Sequence, residues 1–389
     1  MLNFRQYTNV TEISVPRKVK VINSIDICYS MRNLLIGNII SDSVTNMYQA
    51  YYNCRNLTTT VCGDNVTDMT YEYWNCRNLT TAICGPNVNS MFYTYHNCTN
   101  LTTAVCGPNV TNMGGTYSRC TNLTTAVCGS NVTSMYQTYY ECTNLTTAVC
   151  GSNVTSMYGA YQYCTNLTTA ICGDKVTAMS HAYANCTNLT TAVCGPNVTD
   201  MSYTYQNCTK LTTAACGPNV TSMYSTYQNC RNLTKAVCGP NVTAMGYTYN
   251  NCTNLTTAVC GPNVTDMTNT YHNCIRLTTA VCGPNVTYMS HTYSNCRNIR
   301  GNAYFYSNSI SNVRNCFYNR NTSNRLNIYV HAGTITNTTV MEKDVTTSLT
   351  GTSITWTTDA TNNCRYSTAH NLYIYYVANV AEARAANGD

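Results

Sequence analysis

Cysteine is the residue type here with the most chemistry to offer: 26 of the 389 residues carry a thiol, a group that forms disulfides, ligates metals or attacks electrophiles. Spacing narrows the choice. Cysteine recurs every 22 residues from Cys54 to Cys296 and, in a second column of the same period, from Cys62 to Cys282. Only Cys28, Cys316 and Cys364 fall outside, so no thiol is set apart as an activated nucleophile. Cys54 and Cys62 stand eight residues apart, roughly 20 Å along an extended segment, whereas a disulfide needs Cα atoms about 4.4 to 6.8 Å apart. Neighbours within a column, such as Cys62 and Cys84, would lie about 4.8 Å apart, but parallel side chains hold their Cβ atoms farther apart than the usual 3.8 Å or so. Free thiols serving as small core side chains are the expectation. No Cys-x-x-Cys pairing occurs, so neither a metal site nor a cofactor is expected.

Other catalytic groups are sparse. His96, His181, His272, His291, His331 and His370 are dispersed, and charged residues make up 9% of the chain against about 25% in an ordinary soluble domain. No phosphate loop, nucleophile elbow or paired-carboxylate motif is present, so the chain reads as non-enzymatic. The net charge of +6 comes without a basic run, which argues against a nucleic-acid partner. No apolar run of about 18 residues is available to span a membrane. The opening MLNFRQYTNVTEISVPRKVK lacks the apolar stretch of a secretory leader, which suggests a cytoplasmic location before release.

The thiols must be positioned by a repeating element. Leu57 to Leu277, Val66 to Val286, Met69 to Met289 and Tyr73 to Tyr293 recur with the cysteines, and a typical row reads NCTNLTTAVCGPNVTDMSYTYQ. A fixed period of this length indicates a solenoid of stacked coils. NLTTAVCG reads as a short strand ending at a glycine turn, with Leu57, Thr60 and Cys62 inward and Thr59 and Val61 outward. Most rows have Ala in place of Thr60. Val66 and Met69 turn the chain inward, and a return of turns or 3-10 helix leads to Tyr73, expected to be buried with its hydroxyl at the edge.

The order of Cys, Leu, a small apolar residue, a further apolar residue, a turn, then Val, Met and an aromatic resembles the BspA-type leucine-rich repeat. It departs from the usual unit of that family by one residue fewer between Met69 and Tyr73, by Ala and Cys in place of Ile, and by Tyr in place of Phe. VTEISVPRKVKVI, with Val10, Ile13, Val15, Pro16, Val19 and Ile22, resembles the family's strand and turn, and NRLNIYVHAG, with Leu326, Ile328 and Val330, resembles a last strand. The implied fold is a leucine-rich-repeat solenoid with one short parallel strand per coil and about 15 coils, on the order of 70 Å end to end. Residues 1–43 would form an amino-terminal cap with irregular first coils, 44–300 the regular repeats, 301–330 irregular last coils and 331–389 a carboxy-terminal cap containing TSITW and NLYIYYV.

The resemblance implies a protein displayed on the surface of a gut or oral microbe, or carried by a phage, that attaches to a protein or glycan ligand. A structural spacer is the alternative reading, and ice binding through the grid of Thr59 and Val61 equivalents a third. Dense Asn-x-Thr sequons such as Asn97-Cys98-Thr99 favour a bacterial or phage origin, and Asn at the turns is expected to stack in amide ladders. Variation concentrates on the return side, taken as convex, where Gly114 and Gly115 also fall. Tyr71, Trp74, Phe92, Tyr93, His96, Tyr136, Tyr140, His181, Tyr203, His272 and His291 are therefore the candidate contact surface, since aromatic side chains anchor many interfaces.

Overall fold

The computed structural model describes residues 7, 9–18, 28, 30–332, 357–368 and 371–388. Val19, Ile22, the TSITW segment and His370 lie outside the described residues. Two units, Met1–Leu189 and Thr190–Asp389, are each built of stacked coils. In every regular coil the Leu57, Val66, Met69, Tyr73 and Cys54 columns are fully buried, so each coil covers its neighbour's apolar edge.

In the first unit, β1 (Glu12–Val15), β2 (Ile36–Ile39) and β3 (Thr59–Cys62) pair in parallel, with Ile13, Gly37 and Thr60 in register. In the second, β4 (Val281–Cys282), β5 (Gly301–Phe305) and β6 (Leu326–His331) continue the parallel pattern. A cap closes this sheet. There β7 (Thr357–Asp359) and β8 (Cys364–Ser367) run antiparallel, and β9 (Leu372–Val377), the NLYIYYV segment, joins β8 to β6. Helix α1 (Val380–Ala386) follows, capped by the Asn379 side chain, which accepts from the Ala381 and Glu382 amides.

Between β3 and β4 the one strand per coil thins to single parallel bridges such as Thr81 with Thr103 and, in the second unit, Thr191 with Thr213. The tyrosine column explains this. Tyr95 does not send its hydroxyl to the edge; it is fully buried, accepts from the Ile83 N–H at 2.8 Å and donates to the Ile83 carbonyl. Tyr117 does the same to Val105, its hydroxyl accepting at 2.9 Å and donating at 2.5 Å, and the pattern runs on to Tyr293 and Val281. A hydroxyl that occupies both backbone groups removes them from the ladder between coils while leaving them satisfied. The small Ala82-type residue makes room for it. Where Thr60 stands instead, Tyr73 bonds the Thr60 hydroxyl at 3.1 Å and β3 is continuous; where Phe317 replaces tyrosine, β5 runs five residues.

The return segment carries the ladder instead, as a chain of overlapping turns, with no 3-10 helix in the return segments among the described residues. Met69, Tyr71, Tyr73 and Asn75 donate their N–H groups to the Ser90, Phe92, Thr94 and His96 carbonyls of the next coil, while Glu72, Trp74 and Cys76 donate back to Met69, Tyr71 and Tyr73. Alternation of this kind requires two residues per coil with positive φ, at the Tyr71 and Asn75 columns. The Asn75 column forms the expected amide ladder, with Asn97 donating to Asn75 at 2.8 Å and Asn251 to Asn229 at 2.9 Å.

The cysteine columns differ from each other. Thiols from Cys54 to Cys296 are fully buried, and they donate to carbonyls of the preceding coil in both units, as Cys98 does to Tyr73 at 3.0 Å and Cys252 to Tyr227 at 3.1 Å. The Cys62 column was expected inward as well. Instead its thiols are half-buried through Cys260, because the strand ends at Gly63 and the sulfur rests at the rim against the next coil's glycine. All 26 cysteines are unbridged.

Candidate functional site: an aromatic strip on the return side

The return segments of the first unit gather aromatic side chains from successive coils. Tyr71 stacks on Tyr93 with ring centroids 5.7 Å apart and meets Phe92 edge-on, also at 5.7 Å. Trp74 lies between Tyr52, stacked at 5.9 Å, and His96, stacked at 3.8 Å. Tyr48 adds an edge contact to Tyr71 at 5.9 Å. Five of the sequence candidates, Tyr71, Trp74, Phe92, Tyr93 and His96, thus form one half-buried cluster, with each aromatic contact contributing about 0.5 to 1.5 kcal/mol beyond area burial.

Gly114 and Gly115 are part of this arrangement. A Cβ on Gly115 would stand 2.3 Å from Tyr93 Cε1, and one on Gly114 2.9 Å from Phe92 Cδ2. Tyr93 therefore lies across the glycine coil, and its hydroxyl reaches Gln137 Oε1 at 3.2 Å. Beyond it Tyr136 stacks on Tyr158 at 5.5 Å, Tyr158 meets His181 at 5.5 Å, and Tyr140 meets Tyr163 edge-on at 5.6 Å. Tyr136, Tyr158 and Tyr163 are among the most exposed large side chains described.

Burial sets the electrostatics. It pulls the His96 imidazole down to about 4, with Arg119 adding to the shift, so His96 is neutral at physiological pH. Burial also raises the Tyr71 and Tyr93 phenols. The one ion pair on this strip among the described residues joins Arg119 to Glu141 at 3.0 Å.

The remaining candidates lie apart in the second unit. Tyr203 contacts Tyr224 at 5.5 Å, and Tyr224 contacts Tyr247 at 5.6 Å. His272 sits between Asn250 and Asn295 at 3.3 and 3.2 Å, and His291 between Ser290 and Asn315 at 2.9 Å each. Tyr48, Tyr52, Tyr158, Tyr163 and the Arg119–Glu141 pair are missing from the sequence candidates. Their signal was available: Arg119, Glu141 and Tyr163 are three successive departures from an otherwise asparagine column.

Several of these side chains stand on an unusual backbone, in a positive-φ column that runs through both units. Tyr71, Tyr93, His181, Tyr203, Tyr247 and His291 all have φ between 52° and 58°, a region where a bulky residue costs about 1 to 3 kcal/mol and glycine or asparagine is favoured. Gly115 and Gly159 occupy the same column, so glycine fits there. The other positive-φ column is Asn in most coils, a residue that tolerates this conformation and there forms the amide ladder.

No curated protein matches the chain. Among solved structures, a leucine-rich repeat protein from Bacteroides ovatus is 14% identical, covers 75% of this chain and 86% of its own, and superposes with a TM-score of 0.55. One from Eubacterium ventriosum is 17% identical, covers 76% and 85%, and has a TM-score of 0.51. At these identities the likeness is one of fold. The family model for the BspA type leucine rich repeat region matches in six copies over residues 3–117, 91–190 and 180–300, and the chain belongs to that family.

Proposed function

We propose that this chain is a non-enzymatic binding or adhesion protein of a microbial cell surface or a phage particle, and that the aromatic strip of the first unit holds its protein or glycan ligand. One observation carries the reading: tyrosine or histidine stands at six of the twelve positions of a positive-φ column in which glycine stands at two others, and in the first unit those residues stack with the rings of neighbouring coils. Strain of that kind persists where side chains have work to do. The strip supports contact chemically, since it offers tyrosine hydroxyls and ring edges with little charge, a composition common at interface centres.

Purified protein incubated with intact gut bacteria, with host matrix and with immobilised glycans tests the claim. Retention on one of these supports adhesion, and retention on none refutes it. The finer assignment to virion or cell surface is tested by antibody labelling of intact particles and cells.

A further inference from the structure

The sheet of the carboxy-terminal cap carries two rows of side chains on its outer face, while Phe305, Ile328 and Ile374 are buried behind it. One row runs across neighbouring strands from Tyr304 through Tyr329, Tyr375 and Cys364 to Asp359, and the row beside it from Asn302 through Asn327 and Tyr373 to Tyr366, since residues paired across strands share a face. The three tyrosines of the first row stack at 5.0 and 4.9 Å. Tyr329 thus covers one face of the Tyr375 ring, whereas on the other side the row drops to Cys364, which is too small to continue the stack. In the second row Tyr373 stacks on Tyr366 at 5.5 Å and holds the Arg325 guanidinium 4.0 Å from its ring centre. An open cleft of about 500 Å³ lies at this break, lined by Tyr375, Cys364, Asp359, Asn362, Arg325 and the Tyr373 and Tyr366 pair.

We propose that this cleft binds one neutral pyranose ring of a glycan, with the C–H face of the sugar on Tyr375 and its hydroxyls on Arg325, Asp359 and Asn362. The polar groups are held in place and incompletely used. Arg325 donates through Nε to Asn327 Oδ1 at 3.0 Å and through Nη2 to the Tyr375 hydroxyl at 3.3 Å, which leaves three of the five guanidinium donors. Asp359 accepts from the Thr361 and Asn362 amides at 3.0 and 3.2 Å and from Asn362 Nδ2 at 2.7 Å, so about one of four carboxylate acceptor sites stays open. Among the described residues nothing engages the Asn362 amide oxygen or the Tyr366 hydroxyl. A sugar ring matches this set, because it turns an apolar C–H face to the negative face of an aromatic ring and carries a rim of hydroxyls that both donate and accept. An aromatic side chain of a protein partner would fill the gap in the stack but desolvate Arg325 and Asp359 without replacing their contacts with water. Hydrogen bonds from Asn362 hold the Asp359 carboxyl below the usual range, so an acidic sugar meets repulsion there as well as attraction from Arg325. The volume falls in the range of small-ligand sites, about 300 to 1,000 Å³, and the ring stacks fix the walls before a ligand arrives.

This site rests on observations independent of the aromatic strip of the first unit. Saturation-transfer NMR on the full chain with the methyl glycosides of glucose, galactose, mannose and N-acetylglucosamine tests it, with methyl glucuronoside and N-acetyltyrosinamide as rival ligands. At least one neutral glycoside should show transfer, and Arg325→Met, which keeps an apolar stem over Tyr373, should weaken its binding about tenfold. A chain carrying Tyr71→Ser, Trp74→Ser and Tyr93→Gly should bind the same glycoside as the intact chain does. Should Arg325→Met disturb the cap by circular dichroism, Asn362→Ala, on an exposed turn, replaces it with the same expectation. Absence of transfer from every neutral glycoside, undiminished binding by the cap variant, loss of binding in the strip variant, or preference for the glucuronoside or the tyrosinamide would overturn the proposal.

Discussion

A single phenol oxygen decides the local structure of each regular coil. Tyr117 joins the Val105 N–H and carbonyl through its hydroxyl, so Tyr117→Phe strands two buried backbone groups and should cost about 1 to 3 kcal/mol in chemical denaturation, with the apolar packing intact. The burial of this tyrosine was legible from its period, but the destination of its hydroxyl was not, because a row of sequence does not show which backbone groups lack partners. Its trace was the change from Thr60 to Ala82 and its successors. The positive-φ column makes a second prediction. Gln49, at φ 54° and outside the aromatic contacts, should tolerate Gly with a gain of up to about 1 kcal/mol, measured in the same way. A loss on Gln49→Gly would contradict the strain argument that underlies the strip.

At the scale of the coil, the turn chain of the return segment places one residue between Met69 and Tyr73 inside the stack. Thr94 and Thr116 fill that place and donate to carbonyls of the preceding coil at 2.8 and 2.6 Å. Glu72 fills it in its own coil, fully buried, with no hydrogen-bond partner for either oxygen. Burial holds its carboxyl well above the usual range, so the folded coil keeps it protonated. The stability it contributes is complete below the unfolded carboxylate pKa, about 4.3, and declines as pH rises above that value. Glu72→Thr should therefore raise the melting temperature at pH 7 and change it little at pH 4. The reverse pattern would show that the carboxylate is stabilising. Coil period, inward Leu, Val and Met, and the break at Gly63 could all be read from the repeat. The division of labour between ladders could not, since it depends on which backbone groups the tyrosine has already taken.

Across the whole molecule, the repeat makes coils exchangeable while the strip makes some of them distinct. Stacked repeats contribute stability through nearest neighbours, so in-phase removal of residues 208–273 or of 76–141 should each leave a folded, shortened protein by circular dichroism. Only the second deletion removes Phe92, Tyr93, His96, Tyr136 and Tyr140, and only it should abolish ligand retention. Equal retention by both would identify a spacer. The family and its coil stack were legible from columns of Cys, Leu, Val, Met and Tyr, and so were most members of the strip. Their grouping was not, because the coil spacing brings together residues about one period apart only when neighbouring side chains, such as Gly114 and Gly115, leave room. The most direct test compares the intact protein with a variant carrying Tyr71→Ser, Trp74→Ser and Tyr93→Gly, in pull-downs on whichever of gut bacteria, host matrix or glycans retains the intact protein. Folded variant that is no longer retained is the predicted result; retention equal to that of the intact protein would contradict the account.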